Sequence, residues 1–200
     1  MPYRFSFHCF GENFECSLKR GRCTSNRRDG QRCKRESYLP FDVCWQHLRI
    51  DYNLTIKKTS LPGYNFKGLF AYDHKDPGGN SIVFRKPKSK SKRTARYRII
   101  KYIGDIVDKK EIDRRYGKGE RTTAPYAFKL KKKDSFADAA CRRGTGSFAN
   151  TRPGHQNARF VKSGALYPTK TIRNGDEIFA SYGRAYKIGC GHSTRYHRRK

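Results

Sequence analysis

Two hundred residues suit one medium domain plus one small module. Lys and Arg number 46 against 17 Asp and Glu, and the resulting +29 attracts polyanions and repels other basic proteins. No run of 18 apolar residues exists, which excludes a membrane-spanning helix, and Met1-Pro2-Tyr3-Arg4-Phe5 lacks the basic-then-apolar pattern of an export signal.

Residues 1–55 hold five of the seven cysteines. Without an export signal a reducing compartment is expected, so thiols or metal ligands are favoured over disulfides. Cys23, Cys33, Cys44 and His47 form a C-x9-C-x10-C-x2-H set. Three thiolates and an imidazole suit tetrahedral zinc, and Cys44-Trp45-Gln46-His47 supplies two ligands from one turn. Gly30 falls in the loop between the first two ligands, where a tight bend is needed. Metal binding would supply the folding energy of so small a module. Cys9 and Cys16 are competing ligand candidates. Arg22, Arg27, Arg28, Arg32, Lys34 and Arg35 give the module a nucleic-acid reading beside a purely structural one.

Residues 56–187 carry most of the alternating apolar patterns, and 26 Phe and Tyr in the whole chain can fill a modest core. Gly68-Leu69-Phe70-Ala71-Tyr72 reads as a strand, followed by a turn at Asp76-Pro77-Gly78-Gly79. A basic insertion spans 85–98. Within it, Lys88, Lys90, Lys92, Arg93 and Arg96 are candidate nucleic-acid contacts, and a targeting signal or a solvated loop are the other readings. Ile99 to Val107 is the strongest strand. Asp108 and Glu111 have capping-box spacing, so a short helix through Ile112 and Tyr116 should end at Gly117. Near the end, Asn174-Gly175 predicts a type I′ hairpin joining Lys170–Ile172 to Ile178–Ala180. Residues 188–200 form a basic tail whose Cys190, His192 and His197 are further metal candidates. The fold class expected is mainly β, of short strands and turns with a few short helices, plus the small N-terminal zinc-binding module.

Six motifs in order add a resemblance. They are Gly63–Ala71, Ile100–Asp105, Tyr126-Ala127-Phe128 with Asp138-Ala139, Gly144–Thr151, Asn157-Ala158, and Gly175-Asp176-Glu177-Ile178-Phe179-Ala180-Ser181-Tyr182-Gly183. In this order they resemble the SET-domain protein-lysine methyltransferases over about 125 residues. The Cys-Cys-Cys-His stretch resembles a zinc-knuckle-like motif of large DNA virus proteins, which would make this a viral protein. The SET resemblance implies an S-adenosylmethionine-dependent lysine N-methyltransferase. Tyr182 would be catalytic and Tyr126 would line the lysine channel. Gly68, Leu69, Phe70, Phe148, Asn150 and Thr151 would contact the methyl donor.

The sequence departs from the family where Thr151-Arg152-Pro153 follow Asn150 and Ser147 replaces an arginine. An inactive SET-like domain in a chromatin-binding zinc protein is therefore the alternative. The charge refines the expected partner. A free histone tail is itself basic, whereas a nucleosome is coated in phosphate. A histone or another DNA-associated protein, in the nucleus or a host nucleus, is the expected substrate, with DNA held by the basic loop and tail.

Overall fold

The computed structural model describes residues 21–37, 42–89, 94–117, 124 and 126–182. Cys9, Cys16, Lys90, Lys92, Arg93 and the tail candidates lie outside these residues. Among the described residues the chain is mainly β, with two short helices and a small Cys/His module, which is the expected class.

The first helix, α1 (Trp45–Tyr52), starts directly after Cys44 and ends at Asn53, which adopts the left-handed conformation with φ 53°. That C-terminal residue turns the chain into β1 (Leu54–Lys58), which pairs antiparallel with β2 (Lys67–Ala71) from Leu54↔Ala71 to Lys58↔Lys67. Burial along β2 is exposed at Lys67 and complete from Gly68 to Ala71, so the predicted strand sits between two packed faces. β3 (Ile82–Phe84) follows the turn at Asp76–Gly79, closed by the Gly79 N–H donating to the Asp76 carbonyl at 3.2 Å.

The strand expected over Ile99–Val107 is broken. β4 (Ile100–Lys101) pairs with β9 (Ala165–Pro168), whereas β5 (Asp105–Asp108) pairs with β7 (Ser135–Asp138), which also takes β6 (Ala127–Lys129). The break is forced by close backbone contacts. A Cβ on Gly104 would lie 2.4 Å from the Asp138 carbonyl oxygen, and one on Gly146 would lie 2.6 Å from that of Lys101. Apolar content predicts a strand but does not see where neighbouring segments cross it.

The helix α2 (Lys109–Tyr116) forms as expected. The Asp108 carboxylate accepts the Glu111 N–H at 2.8 Å, and Gly117 follows the last turn with φ 87°. Arg115 and Tyr116 turn inward to Asp138, which is wholly buried. Arg115 Nη1 and the Tyr116 hydroxyl each donate to its carboxylate at 2.7 Å, and the Ala140 N–H donates at 3.1 Å. A buried carboxylate needs such partners, because its desolvation is costly.

β8 (Ala158–Phe160) joins β9 antiparallel and takes β11 (Ala180–Ser181) in parallel on its other side. The predicted hairpin at Asn174-Gly175 is corrected here. β10 (Ile172–Arg173) pairs with β3, so the two flanks of the turn go to different sheets. Gly175 has φ 86°, Asn174 is not among the positive-φ residues, and the Asp176 N–H returns to the Arg173 carbonyl at 3.1 Å. This is the type II pattern rather than type I′. The Asn174 side chain explains the difference. Its amide nitrogen donates to the carbonyls of Asp76, Pro77 and Gly79, and its oxygen accepts the Asp73 N–H. Asn174 is thus a clasp on another loop, not the first αL residue of a hairpin.

The main core runs without interruption from Cys23, Cys33 and Cys44 through Leu48, Leu54 and Leu69 to Leu166, Ile172 and Ile178. A smaller cluster holds Ile112, Tyr116 and Ala140.

Candidate active site and metal centre

Cys23, Cys33, Cys44 and His47 converge, all four buried, with their ligand atoms within 4.8 Å of one another. Cys23 Sγ and Cys44 Sγ stand 3.4 and 3.2 Å from His47 Nδ1. With metal–sulfur bonds of about 2.3 Å and metal–nitrogen bonds of about 2.0 Å, tetrahedral ligands are separated by about 3.5 Å, so the donor set fits one small ion. The local fold makes the convergence. The Asn26↔Arg32 bridge and Gly30, at φ 77°, close the loop between Cys23 and Cys33. Cys44 sits at the start of α1, so His47 returns to it one turn later.

Two backbone donors bear on the thiols. The Cys44 N–H donates to Cys23 Sγ at 3.2 Å. The Arg35 N–H, with weaker help from the neighbouring thiols, holds Cys33 below the usual thiol range. Burial pushes Cys44 the other way. Cys141 is disulfide-bonded and departs from the expectation for the cysteines.

The module's arginines divide by role. Arg22 Nε donates to the Cys33 carbonyl and Arg32 Nε to the Cys23 carbonyl, each at 3.0 Å, so these two cations lace the ligand loops together. Arg27 pairs with Asp29 and Gln31. Lys88 and Arg96 of the basic insertion are exposed.

A second convergence surrounds Gly68. Asn150 Nδ2 donates to Glu177 Oε1 at 3.0 Å and to the Lys67 carbonyl at 3.3 Å, with Thr59 Oγ1 at 3.4 Å. Glu177 is only 6% exposed, and sequence reading had not singled it out. Its carboxylate also accepts the Thr59 hydroxyl at 2.7 Å and both the Ser60 N–H and hydroxyl at 2.6 Å. The strand β2 is tied to the same turn, since the Ile178 N–H donates to the Leu69 carbonyl at 2.7 Å and Phe70 bridges Glu177. A Cβ on Gly68 would come within 2.1 Å of Glu177 Oε1, so a side chain there would push the carboxylate out of this arrangement. The signal available in the sequence was an acidic residue entering an apolar strand of a very basic chain.

Tyr182 reaches the same place. Its hydroxyl donates to the Ala149 carbonyl at 2.6 Å, and the Ala180 N–H donates to the Asn150 carbonyl at 2.7 Å. Asn157 braces the approach from both sides, donating to the Glu177 carbonyl and accepting from the Phe179 N–H. Phe148 packs against the main core and Thr151 is half-buried.

Tyr126 is placed differently. It packs against the smaller cluster, whereas Tyr182 packs against the main one. The link is Tyr102, whose hydroxyl donates to the Tyr126 carbonyl at 2.6 Å and whose ring meets Phe128 and Phe160 at 5.5 and 5.6 Å. The Arg143 guanidinium lies 4.3 Å from the Tyr126 ring centre. The ring expected to line a lysine channel is therefore covered by a cation of this chain.

No protein-family profile matches the chain, and no curated protein matches it. Solved structures do. One is ctPRC2 in an autoinhibited conformation bound to S-adenosylmethionine, 20% identical over 68% of this chain and 16% of its own, with a TM-score of 0.45. A ctPRC2 complex with H3K27me3 matches at 20% identity over 65% of this chain and 14% of its own, also with a TM-score of 0.45. An apo ctPRC2 matches at 18% identity over 68% and 15%, at the same score. The chain thus spans about one sixth of the length of these proteins, and at such identity and score the likeness assigns no role to any residue here.

Proposed function

We propose that the protein is an S-adenosylmethionine-dependent protein-lysine N-methyltransferase with a SET-type fold, and that a zinc ion held by Cys23, Cys33, Cys44 and His47 braces it. The observation that carries the reading is the meeting of Asn150, Gly68 and Tyr182. Residues far apart in sequence, each assigned a role by resemblance, are joined through Glu177 and the Ala149 carbonyl.

The donor supplies an electrophilic methyl on a sulfonium. Asn150 and the main chain at Lys67–Phe70 would hold it. The chain's further task is to present a neutral amine, since free lysine, with a pKa of about 10.4, is mostly protonated at neutral pH. A channel with aromatic walls would exclude water and penalise the ammonium. The Tyr182 hydroxyl, fixed by its bond to Ala149, orients the amine nitrogen toward the methyl carbon. Methyl transfer to the amine would leave the thioether product, with the surplus amine proton passing to solvent. No nucleophilic side chain is consumed.

The net charge of +29 favours a lysine substrate presented on DNA, so a nucleosomal histone is the leading substrate and the nucleus or a host nucleus the leading location. A DNA-packaging protein is the counterpart if the knuckle reflects a viral origin. Labelled-donor assays on nucleosomes and free histones test this: transfer should be faster on nucleosomes at low salt, and Tyr182→Phe should abolish most of it. Faster transfer to free histone would overturn steering by DNA.

A second reading is a chromatin-binding zinc protein with an inactive SET-like domain. The Arg143 cation over Tyr126 and the altered surroundings of Asn150 favour it. Calorimetry with S-adenosylmethionine separates the two, because an inactive module need not bind the donor.

A further inference from the structure

Glu177 carries more than its hydrogen bonds explain. It is a buried carboxylate in a chain of net charge +29, yet all its partners are neutral: the Thr59 and Ser60 hydroxyls, the Ser60 N–H and the Asn150 amide. Among the described residues no Lys, Arg or His pairs with it. The contrast within the same molecule is Asp138, also buried and neutralised by Arg115 at 2.7 Å. Cations are abundant in this chain, and keeping them from Glu177 leaves a fixed negative charge beside Gly68 and Asn150. Such a charge is costly unless something positive visits it.

We infer that Glu177 is a positioning and specificity residue that favours the cationic donor over its neutral-sulfur product. The inference rests on the methyltransferase reading. S-adenosylmethionine and S-adenosylhomocysteine share their adenosine, ammonium and carboxylate, and they differ by one methyl and one positive charge on sulfur. A carboxylate held against the donor site attracts the sulfonium and gains nothing from the thioether. After transfer the attraction is gone, so the same charge assists product exchange. Its four bonds meanwhile hold Asn150 and residues 59–60 at fixed distances, which is the positioning part of the role.

The test is the ratio of the two dissociation constants, measured by calorimetry on the 200-residue protein and on its Glu177→Gln variant. Glutamine keeps the length but loses the charge, and its NH2 faces donors, so absolute affinities are expected to fall for both ligands. The diagnostic quantity is the ratio. Donor affinity relative to product should drop about three- to tenfold in Glu177→Gln, as expected for one partly screened charge. An equal loss for both ligands overturns the charge role and leaves a structural clamp. If Glu177→Gln does not fold, Ser60→Ala provides the test. It removes one hydroxyl donor and keeps the carboxylate less screened, so the ratio should stay at or above wild type, and a fall overturns the inference. If the wild-type protein binds neither ligand, the methyltransferase reading itself fails, which is a different outcome from an unchanged ratio.

Discussion

At the scale of single residues, the hydroxyl of Tyr182 and the amide of Asn150 are the atoms on which activity should depend. Tyr182→Phe removes the donor to Ala149 and leaves the ring packed on the core, so its cost in stability should be about 1 kcal/mol while transfer falls by orders of magnitude. Thermal unfolding beside the transfer assay checks the split. Asn150→Ala should weaken donor binding in calorimetry more than it lowers the melting temperature, since its amide lies at a half-buried surface. The sequence pointed to these two residues through short motifs, and the fold brings Asn150 to Glu177 and Tyr182 to Ala149. Glu177 was not legible there, because its importance comes from Thr59 and Ser60, about 117 positions away along the chain. Arg143 was missed for the same reason: nothing local to it says that it lies over Tyr126.

Among the elements, α2 shows how a short helix is held by charge. Asp108 caps its first turn, and Asp108→Ala should cost about 1 kcal/mol, read from urea unfolding. Arg114 and Arg115 grip Glu111 and lower its pKa to about 2. An unfolded glutamate takes its proton near pH 4.3. The stabilisation is therefore complete above about pH 5 and is lost as pH falls through 4 toward 2. Glu111→Gln should be less stable than wild type at pH 6, and the gap should close by about pH 2. The inward side of the helix matters more. Arg115→Met strands the Asp138 carboxylate in the core and should cost about 3–5 kcal/mol. Replacing Asp138 by Asn in that background should recover part of the loss. The cap and the stop glycine of α2 could be read locally. The break between β4 and β5 and the splitting of the Asn174-Gly175 hairpin could not, because both are decided by which distant backbone comes close. Local patterns report propensity, and only the assembled sheets decide pairing.

Across the whole molecule, the continuity of the core links the metal ligands to the candidate site. Cys23, Cys33 and Cys44 share one cluster with Leu54, Leu69 and Ile178. If zinc occupies the cluster, chelation or Cys33→Ser should lower the melting temperature of the β domain along with that of the knuckle, in one transition. A separate low-temperature step for the knuckle would contradict this. Charge acts at the same scale. If the proposed nucleosome substrate is right, binding to it should weaken steeply and linearly on a log–log plot as salt rises, with a slope set by the phosphates contacted. The composition made the electrostatics legible at once. It said nothing of how the cysteine stretch and the sheets would fuse, since that is a matter of which apolar faces meet.

The clasp at Asn174 has a consequence for how this protein can be taken apart. It fixes the loop at Asp76–Gly79, and β10 then holds β3 just ahead of the basic insertion. On the far side, the Ile99 N–H donates to the Leu166 carbonyl at 2.9 Å, and β4 pairs with β9. Both banks of the insertion are thus moored to the sheets independently of what lies between them. Exchanging Lys88 to Arg93 for a neutral Gly/Ser segment of equal length should leave the melting temperature near wild type and, under the proposed function, reduce the attraction for DNA without changing donor affinity. The insertion would then be a detachable handle, and a chimaera carrying another protein's targeting peptide in its place should keep the fold and carry it to a new surface.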